Sequence, residues 1–464
     1  MINQEEHCLI IDIGKTNIKT VLLDDKGDIV CSDKLSNITQ CNSDYPFFDI
    51  QQTWQWLLQS IRKANDIAPI KAINVSTHGA CAVLLQQNGE LALPVLDYET
   101  PIPEIVSQEY DKIRPSFSET FSPKLPAGLN LGRQLYWMQQ QYPAEFANSE
   151  TLLMYPQYWV WRLTGEAYTE VSSLGCHTDL WLPEKQCYSP LIDRLALTAK
   201  MPPIQAAFEV AGHPKQDVCN TTSLSPDCRV YTGAHDSNAG FARYLYAMPK
   251  SDITVISTGT WIICMSAAQE LKKLDENHDT LANVSVVGQC LPCARFMGGR
   301  EFEKICELTR TEIDAVYSAD DLQTVIYNKV FALPSFSAIG GPFLGHMGQL
   351  NAIPANGKAL ATLYLALMID YELDLLGSKG DLVLGSSATK NPFLCSLLAQ
   401  MRPHQQVLLS GDEATTIKGA WCLTRWNRPV EKSLQEFAFA EATNLKGLKA
   451  YRQCWRDKVK KLIL

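Results

Sequence analysis

Apolar residues run without a break from Cys8 to Ile11 and reach Asp12. A polar turn, Gly14-Lys15-Thr16-Asn17, separates this run from a second β-rich one, Ile18 to Leu23. Two such runs joined by a short Gly-containing turn predict a β-hairpin. The pattern returns in the second half of the chain, where Ile253 to Ile256 enters Ser257-Thr258-Gly259-Thr260-Trp261 and Ile262 to Met265 leaves it. Between the two, residues 52–65 place Trp56, Leu57, Ser60 and Ile61 at helical spacing, which predicts an amphipathic helix. Ile70 to Val75 predicts a short buried strand ending in Ser76-Thr77-His78-Gly79, and Val83 to Leu85 a further strand. Residues 133–146 predict a helix, and 151–165 a Trp/Tyr-rich helix or helix pair. Arg229 to Thr232 predicts a strand that runs into Gly233-Ala234-His235-Asp236-Ser237-Asn238-Ala239-Gly240. Further on, Gly298-Gly299 feeds a helix, and Lys358 to Leu376 predicts a long helix buried on most faces. Asp381 to Leu384 predicts a strand entering Gly385-Ser386-Ser387-Ala388-Thr389-Lys390-Asn391-Pro392. After it come a helix to Met401, a strand at 406–409 and a helix start at 413–420.

These turns carry the candidate chemistry. A carboxylate at the end of a strand, followed by backbone amides, a hydroxyl and an ammonium, suits Mg²⁺ and phosphate. The bland alternative for residues 8–24 is an ordinary N-terminal ribbon. Gly14-Lys15-Thr16 is not a P-loop, because position 9 is Leu9 where a glycine is required and strand rather than helix follows. A polar cluster at the carboxyl end of a strand, as at His78-Gly79, is where open α/β sheets place ligands, although a lone His is more often structural. Small residues around His235, Asp236 and Asn238 let backbone or ligand approach closely. The hydroxyls, His177 and Asp179 between Ser172 and Asp179 either line a sugar pocket or form a surface turn.

Composition narrows the class. The 464 residues bound two to three domains, and 46% hydrophobic with 20% charged residues is ordinary for a globular protein. A net charge of −9, with no basic blocks, argues against nucleic acid or an anionic membrane surface as partner. Residues 1–8 carry no signal-peptide pattern and no apolar run is long enough to span a bilayer, so a cytoplasmic location is expected. The 15 cysteines are scattered, with Cys290 and Cys293 the only CxxC. Reduced thiols fit better than disulfides or zinc.

Two hairpin turns and a late Gly/Ser loop describe a nucleotide held between two similar domains. The chain resembles the FGGY family of carbohydrate kinases, in the sugar kinase/Hsp70/actin superfamily, and is most similar in flavour to its fuculokinase-like and rhamnulokinase-like members. Residues 12–17 resemble the family's first phosphate motif and 257–261 the second. Leu163-Thr164-Gly165-Glu166 with Ser172-Ser173 resembles the Leu-Thr-Gly block, and Gly233-Ala234-His235-Asp236 the segment holding the catalytic base. Residues 385–392 and 413–420 resemble the adenosine motif. Ser386 and Ser387 stand where the family usually has glycine, and the later Pro-rich signature is poorly matched at 333–345.

The resemblance implies an α/β fold of two ribonuclease-H-like (actin-like ATPase) domains, 1–244 and 245–464, with an interdomain cleft that closes around ATP and a sugar. It implies Asp236 as general base, and Asp12 with Asp236 as holders of Mg²⁺. Nucleotide contacts are expected from Gly14, Lys15, Thr16, Asn17, Thr258, Gly259, Thr260, Gly299, Gly385, Ser386, Ser387 and Asn391. Sugar contacts are expected from His78, Gly79, Asp97, His177, His235, Asp236 and Asn238. The implied function is transfer of the ATP γ-phosphate to a sugar hydroxyl, on a ketose such as a deoxy-ketohexose or ketopentose. The alternatives are a polyol kinase, an acyl-phosphate kinase or phosphatase of the same superfamily, and a catalytically silent sugar or nucleotide sensor. Neither the sugar, the hydroxyl, nor formation of a homodimer is legible.

Overall fold

The computed structural model describes residues 6–249, 251–267, 270–412 and 414–463. Glu413, first residue of the expected 413–420 helix start, lies outside the described residues. The chain divides into two compact units: Met1–Pro249 with Ala282–Cys290 and Ala414–Glu431, and Lys250–Leu281 with Leu291–Glu413 and Lys432–Leu464. The 244/245 division falls inside a helix, Asp236–Ala247, and the segment 414–431 belongs with the first unit.

The first unit is built on a seven-stranded mixed sheet. Its elements are β1 (His7–Ile13), β2 (Asn17–Leu23), β3 (Ile29–Ser36), α1 (Ile50–Ile67), β4 (Ile70–Thr77), β5 (Val210–Gly212), β6 (Arg229–Tyr231), β7 (Ala234–His235) and α2 (Asp236–Ala247). The sheet order is β5-β6-β4-β1-β2-β3, with β7 also on β4. β1 and β2 form the expected antiparallel hairpin, Asp12 opposite Lys19. β4 lies parallel to β1 with Asp12 beside Ser76, and β7 parallel to β4 with His235 beside Thr77. This register gathers the carboxyl ends of β1, β4 and β7. Leu9, Ile11, Ile13, Ile73 and Val75 bury one sheet face against Trp54, Leu57, Ile61 and Ala64 of α1. That stripe has the i, i+3, i+7 spacing of a core helix face, and Trp54 rather than the half-buried Trp56 leads it. Asp49 caps α1 by accepting from the Gln52 amide.

Three local expectations change. Residues 133–146 lie in two helices, Leu131–Gln141 and Pro143–Ala147, because Pro143 has no amide to continue the first. Thr151–Met154 is a strand paired with Ala82–Leu85, and helix Tyr155–Thr164 follows it. Gly165 ends that helix at φ +84°, so the Leu-Thr-Gly block is a left-handed helix cap. The Ser172–Asp179 stretch is not a surface turn: Ser172, Ser173, Cys176 and Asp179 are buried. Asp179 accepts from Tyr110 and Arg114.

The second unit repeats the hairpin-plus-parallel-strand plan. It contains β8 (Ile253–Ser257), β9 (Ile262–Ser266), β10 (Cys290–Phe296), α3 (Gly298–Leu308), α4 (Gly357–Leu376), β11 (Asp381–Leu384), α5 (Ser386–Thr389), α6 (Leu394–Met401) and β12 (Val407–Leu409). Neighbours in its sheet run β10-β9-β8-β11-β12, so β9-β8-β11 matches β2-β1-β4. The CxxC lies on β10, and among the described residues no cysteine forms a disulfide. α4 is buried nearly all round, including Asp370 and Glu372. Asp370 accepts from Arg402, Arg452 and Arg456, which ties the C-terminal helix Leu448–Ile463 to α4. Glu372 meets the Cys264 thiol, and burial raises its carboxyl well above the usual range. Among the described residues no helix is long and apolar enough to cross a membrane.

Candidate active site

Asp236 is the first residue of α2, where free backbone amides favour negative charge. Its Oδ1 accepts from the Ser237 amide at 2.5 Å and the Ser237 hydroxyl at 3.1 Å. His235 Nε2 lies 3.2 Å from the same oxygen. The other ring nitrogen, Nδ1, faces the Asn238 amide nitrogen at 3.0 Å. Nδ1 therefore accepts, Nε2 carries the proton, and His235 donates to Asp236. The His235 backbone amide donates to Ser172 Oγ at 3.3 Å, and that hydroxyl donates to Glu170 at 2.6 Å. A Cβ on Gly79 would lie 3.0 Å from His235 Nε2 and 3.3 Å from Cys176 Sγ, so Gly79 is what lets this strand end reach the histidine.

Asp12 is half-buried at the end of β1. Burial, and then the Asp236 charge, push its carboxyl up to about 7. A carboxylate whose charge is disfavoured by burial and by a second carboxylate suits a cation. Among the described residues no group of three or more ligating side chains is present. Mg²⁺ needs no such cage: it takes one or two carboxylates and completes its shell with phosphate oxygens and water. Asp12 and Asp236 fit that donor set. The Gly14 turn beside them is closed by Gly14 N–H to Asn17 O at 2.9 Å and braced by Asn37, which donates to Gly14 O. Thr16 is exposed on it, with the Asn17 amide on its hydroxyl at 3.0 Å.

Lys15 finds its partners outside the Gly14 turn. Its ammonium is bound to Asp97, 3.5 Å from Glu99, and over the Phe48 and Tyr98 rings at 4.9 and 5.1 Å. The geometry thus gives Lys15 to the Asp97 side rather than to nucleotide phosphates. Asp97 also accepts from Thr39 Oγ1 and the Glu99 amide. Burial would raise its carboxyl, but the Lys15 ammonium and these donors hold it below the usual value. His78 packs on Phe48, Tyr98 and Tyr155. Its Nδ1–H donates to Gly79 O at 2.9 Å, and burial drives the imidazole pKa down to about 4. His78 Nε2, Ser76 Oγ and Asn238 Oδ1 are buried without a partner among the described residues. His177 sits at φ +43° with Nδ1–H on Leu129 O at 2.8 Å.

In the second unit the turn Thr258-Gly259-Thr260 borders a cavity of about 540 Å³, shared with Gly299, Ser387 and Asn391. Gly299 N–H donates to Thr260 O at 3.2 Å, and a Cβ on Gly299 would meet Gly259 O at 2.5 Å. Thr258 Oγ1 and Ser387 Oγ are 2.8 Å apart, which links the turn to the loop after β11. Gly385 caps the short α5, which Ser386 opens. Asn391 turns inward: it accepts from Tyr317 and from the first amides of α6, and donates to Thr362. It is a structural cap on the cavity wall, with both polar atoms already engaged.

The family models decide the identity of this arrangement. Residues 7–242 match the FGGY family of carbohydrate kinases, N-terminal domain, and residues 250–432 match Carbohydrate kinase FGGY, C-terminal domain. The chain belongs to the FGGY family of carbohydrate kinases. The crystal structure of a carbohydrate kinase from Novosphingobium aromaticivorans is 35% identical, over 97% of this chain and all of that one, with a TM-score of 0.89. An L-fuculokinase of Haemophilus influenzae is 24% identical over 68% of this chain and 70% of its own length. A probable L-xylulose kinase of Pasteurella multocida is 26% identical over 49% of each. FGGY kinases are phosphotransferases with a sugar hydroxyl as acceptor, and this one is an ATP-dependent carbohydrate kinase.

Several residues of this FGGY kinase's sites escape sequence reasoning. Glu170 supports the His235 backbone through Ser172, and only its place before Ser172-Ser173 hints at it. Arg300, Lys358 and Lys390 line the second-unit cavity. Lys390 falls within the Gly/Ser loop, whereas Arg300 and Lys358 carry no motif. In the other direction Gly419, read with the adenosine motif, sits where helix Thr415–Leu423 crosses α2. A Cβ there would lie 1.7 Å from Ala239 O, so this glycine serves helix packing in the first unit.

Proposed function

We propose that this kinase phosphorylates a ketose, a deoxy-ketohexose or a ketopentose, using Mg-ATP in the cytoplasm. The names of its L-fuculokinase and probable L-xylulose kinase relatives support a ketose. The observation that carries the mechanism is the His235–Asp236 contact at 3.2 Å beside Asp12. Phosphoryl transfer passes through a loose transition state, so the protein chiefly positions, neutralises charge and steers one proton. Asp236 takes the proton of the substrate hydroxyl while His235 Nε2–H and Ser237 hold its other oxygen side in place. Asp12 and Asp236 hold Mg²⁺, which when bound neutralises charge on the phosphate oxygens. The Gly14-to-Asn17 and Thr258-to-Thr260 turns supply amides and hydroxyls for phosphate, and Gly299, Gly385 and Ser387 keep the second turn and the adenosine loop close. His78, Gly79 and Asn238 face the sugar, with His78 Nε2 and Asn238 Oδ1 as acceptors for its hydroxyls.

An ADP-release assay with Mg-ATP against ketoses, aldoses, polyols and glycerol tests this. The reading expects one strong responder among the ketoses. ATP binding with no responder anywhere on the panel favours a catalytically silent sensor.

A further inference from the structure

The turn that follows Asp12 carries an ammonium where it needs only amides, and that ammonium is not left for phosphate. Lys15 is bound to Asp97, and the Asp97 carboxylate is otherwise filled by Thr39 Oγ1 at 2.8 Å and the Glu99 amide at 3.0 Å. Asp97 is 6% exposed, so it has no free face with which to accept a sugar hydroxyl. An ammonium has three donors. One goes to Asp97 and one is directed toward exposed Glu99 at 3.5 Å, which leaves one for a ligand. The same Phe48 and Tyr98 rings that lie under Lys15 pack on His78, whose Nε2 is a buried acceptor without a partner. The Asp236 charge reaches both His78 and Tyr98. A hydroxyl presented to Asp236 therefore brings the rest of its sugar to this wall.

We propose that the Lys15–Asp97 pair sets the charge specificity of the sugar site: a lysine donor whose charge is cancelled, which accepts neutral polyhydroxy sugars and rejects aldonates. The inference rests on the reading of Asp236 as the base of a sugar kinase. Two carboxylates, Asp97 and Glu99, stand against the single Lys15 ammonium. At this wall a substrate carboxylate thus meets an ammonium already held between two carboxylates. A neutral sugar meets a donor in Lys15 and an acceptor in His78 Nε2.

The test compares kcat/KM for the best neutral ketose with that for gluconate and 2-ketogluconate. The variants are Asp97→Asn, which keeps the shape and releases the Lys15 charge, and Glu99→Gln at an exposed position that does not hold the fold. Wild type is expected to favour the neutral sugar by about a hundredfold or more, the scale of a like-charge clash in a binding site. Asp97→Asn is expected to narrow that ratio by about tenfold, mostly through KM for the acid. Glu99→Gln moves it the same way by about threefold, as for an exposed pair. A purely structural role lowers both substrates together and leaves the ratio alone. Unchanged ratios in an active wild type and both variants overturn the inference, as does a wild type that prefers the acid. A wild type that binds ATP yet phosphorylates no sugar overturns the kinase reading and this inference with it.

Discussion

His235 donates from Nε2 to Asp236 Oδ1 across 3.2 Å, because Asn238 occupies its Nδ1 at 3.0 Å. The imidazole is buried and neutral, so its role toward Asp236 is to orient the carboxylate, not to move charge. His235→Ala is expected to lower kcat about a hundredfold, the scale of a small misplacement of a reacting group, with KM for ATP unchanged. His235→Gln, which keeps an amide N–H near the carboxylate, is expected to recover part of that loss. Steady-state kinetics on the two variants check it. Equal loss in both would mean that the imidazole matters for packing alone.

Asp12 gives the protein a pH signature. Its carboxyl stands at about 7 when folded, raised by burial first and by Asp236 second, against 3.8 unfolded. Between those values the folded chain holds a proton that the unfolded chain has released, so this group's stabilisation is complete below about pH 4 and lost as pH rises through about 7. Glu170, also pushed up to about 7 by burial, acts in the same sense, so the difference between wild type and Asp12→Asn isolates Asp12. Without metal or nucleotide, the Tm of Asp12→Asn is expected to match wild type near pH 4 and to exceed it by roughly a few degrees at pH 8. Mg-ATP is expected to protect wild type more at pH 8 than at pH 6, and to lose that trend in the variant. Thermal melts over pH 4–8 decide it.

Gly299 governs the second turn. A methyl there meets Gly259 O at 2.5 Å and Thr260 Cα at 3.1 Å, both backbone atoms that cannot swing away. Gly299→Ala is expected to displace the Thr258–Thr260 turn at a cost of about 1–3 kcal/mol, as for other overpacked sites. KM for ATP should rise about tenfold or more, while KM for the sugar changes little. An unaltered ATP titration would show that the turn tolerates the shift.

The two hairpins were legible because each is written within about twenty consecutive residues, as apolar runs around a polar turn. Asp12 and Asp236 stood out in the sequence because each lies at or just past the end of a strand, in a run of small or turn-forming residues. Lys15 was not, because its partner Asp97 is 82 positions away and only the fold brings them together. Asn391 looked like a ligand residue from its loop, yet its neighbours Tyr317 and Thr362 come from distant segments. β10 was hidden by its own composition: Cys290-Leu291-Pro292-Cys293 reads as a metal pattern or a break, whereas β9 supplies the pairing that makes it a strand. The buried Ser172–Asp179 stretch shows the same limit, since hydroxyl-rich sequence resembles a surface turn until Glu170, Arg114 and Tyr110 are seen to satisfy it.

The most direct test of the account is Asp236→Asn, assayed in single-turnover conditions with Mg-ATP and the sugar that responds in the panel. The substitution keeps the shape and removes the base. The account predicts a fall of roughly a thousandfold in sugar phosphorylation, within the range for loss of general base catalysis, while ATP affinity measured by calorimetry stays within about threefold. Turnover close to wild type in that variant would contradict it.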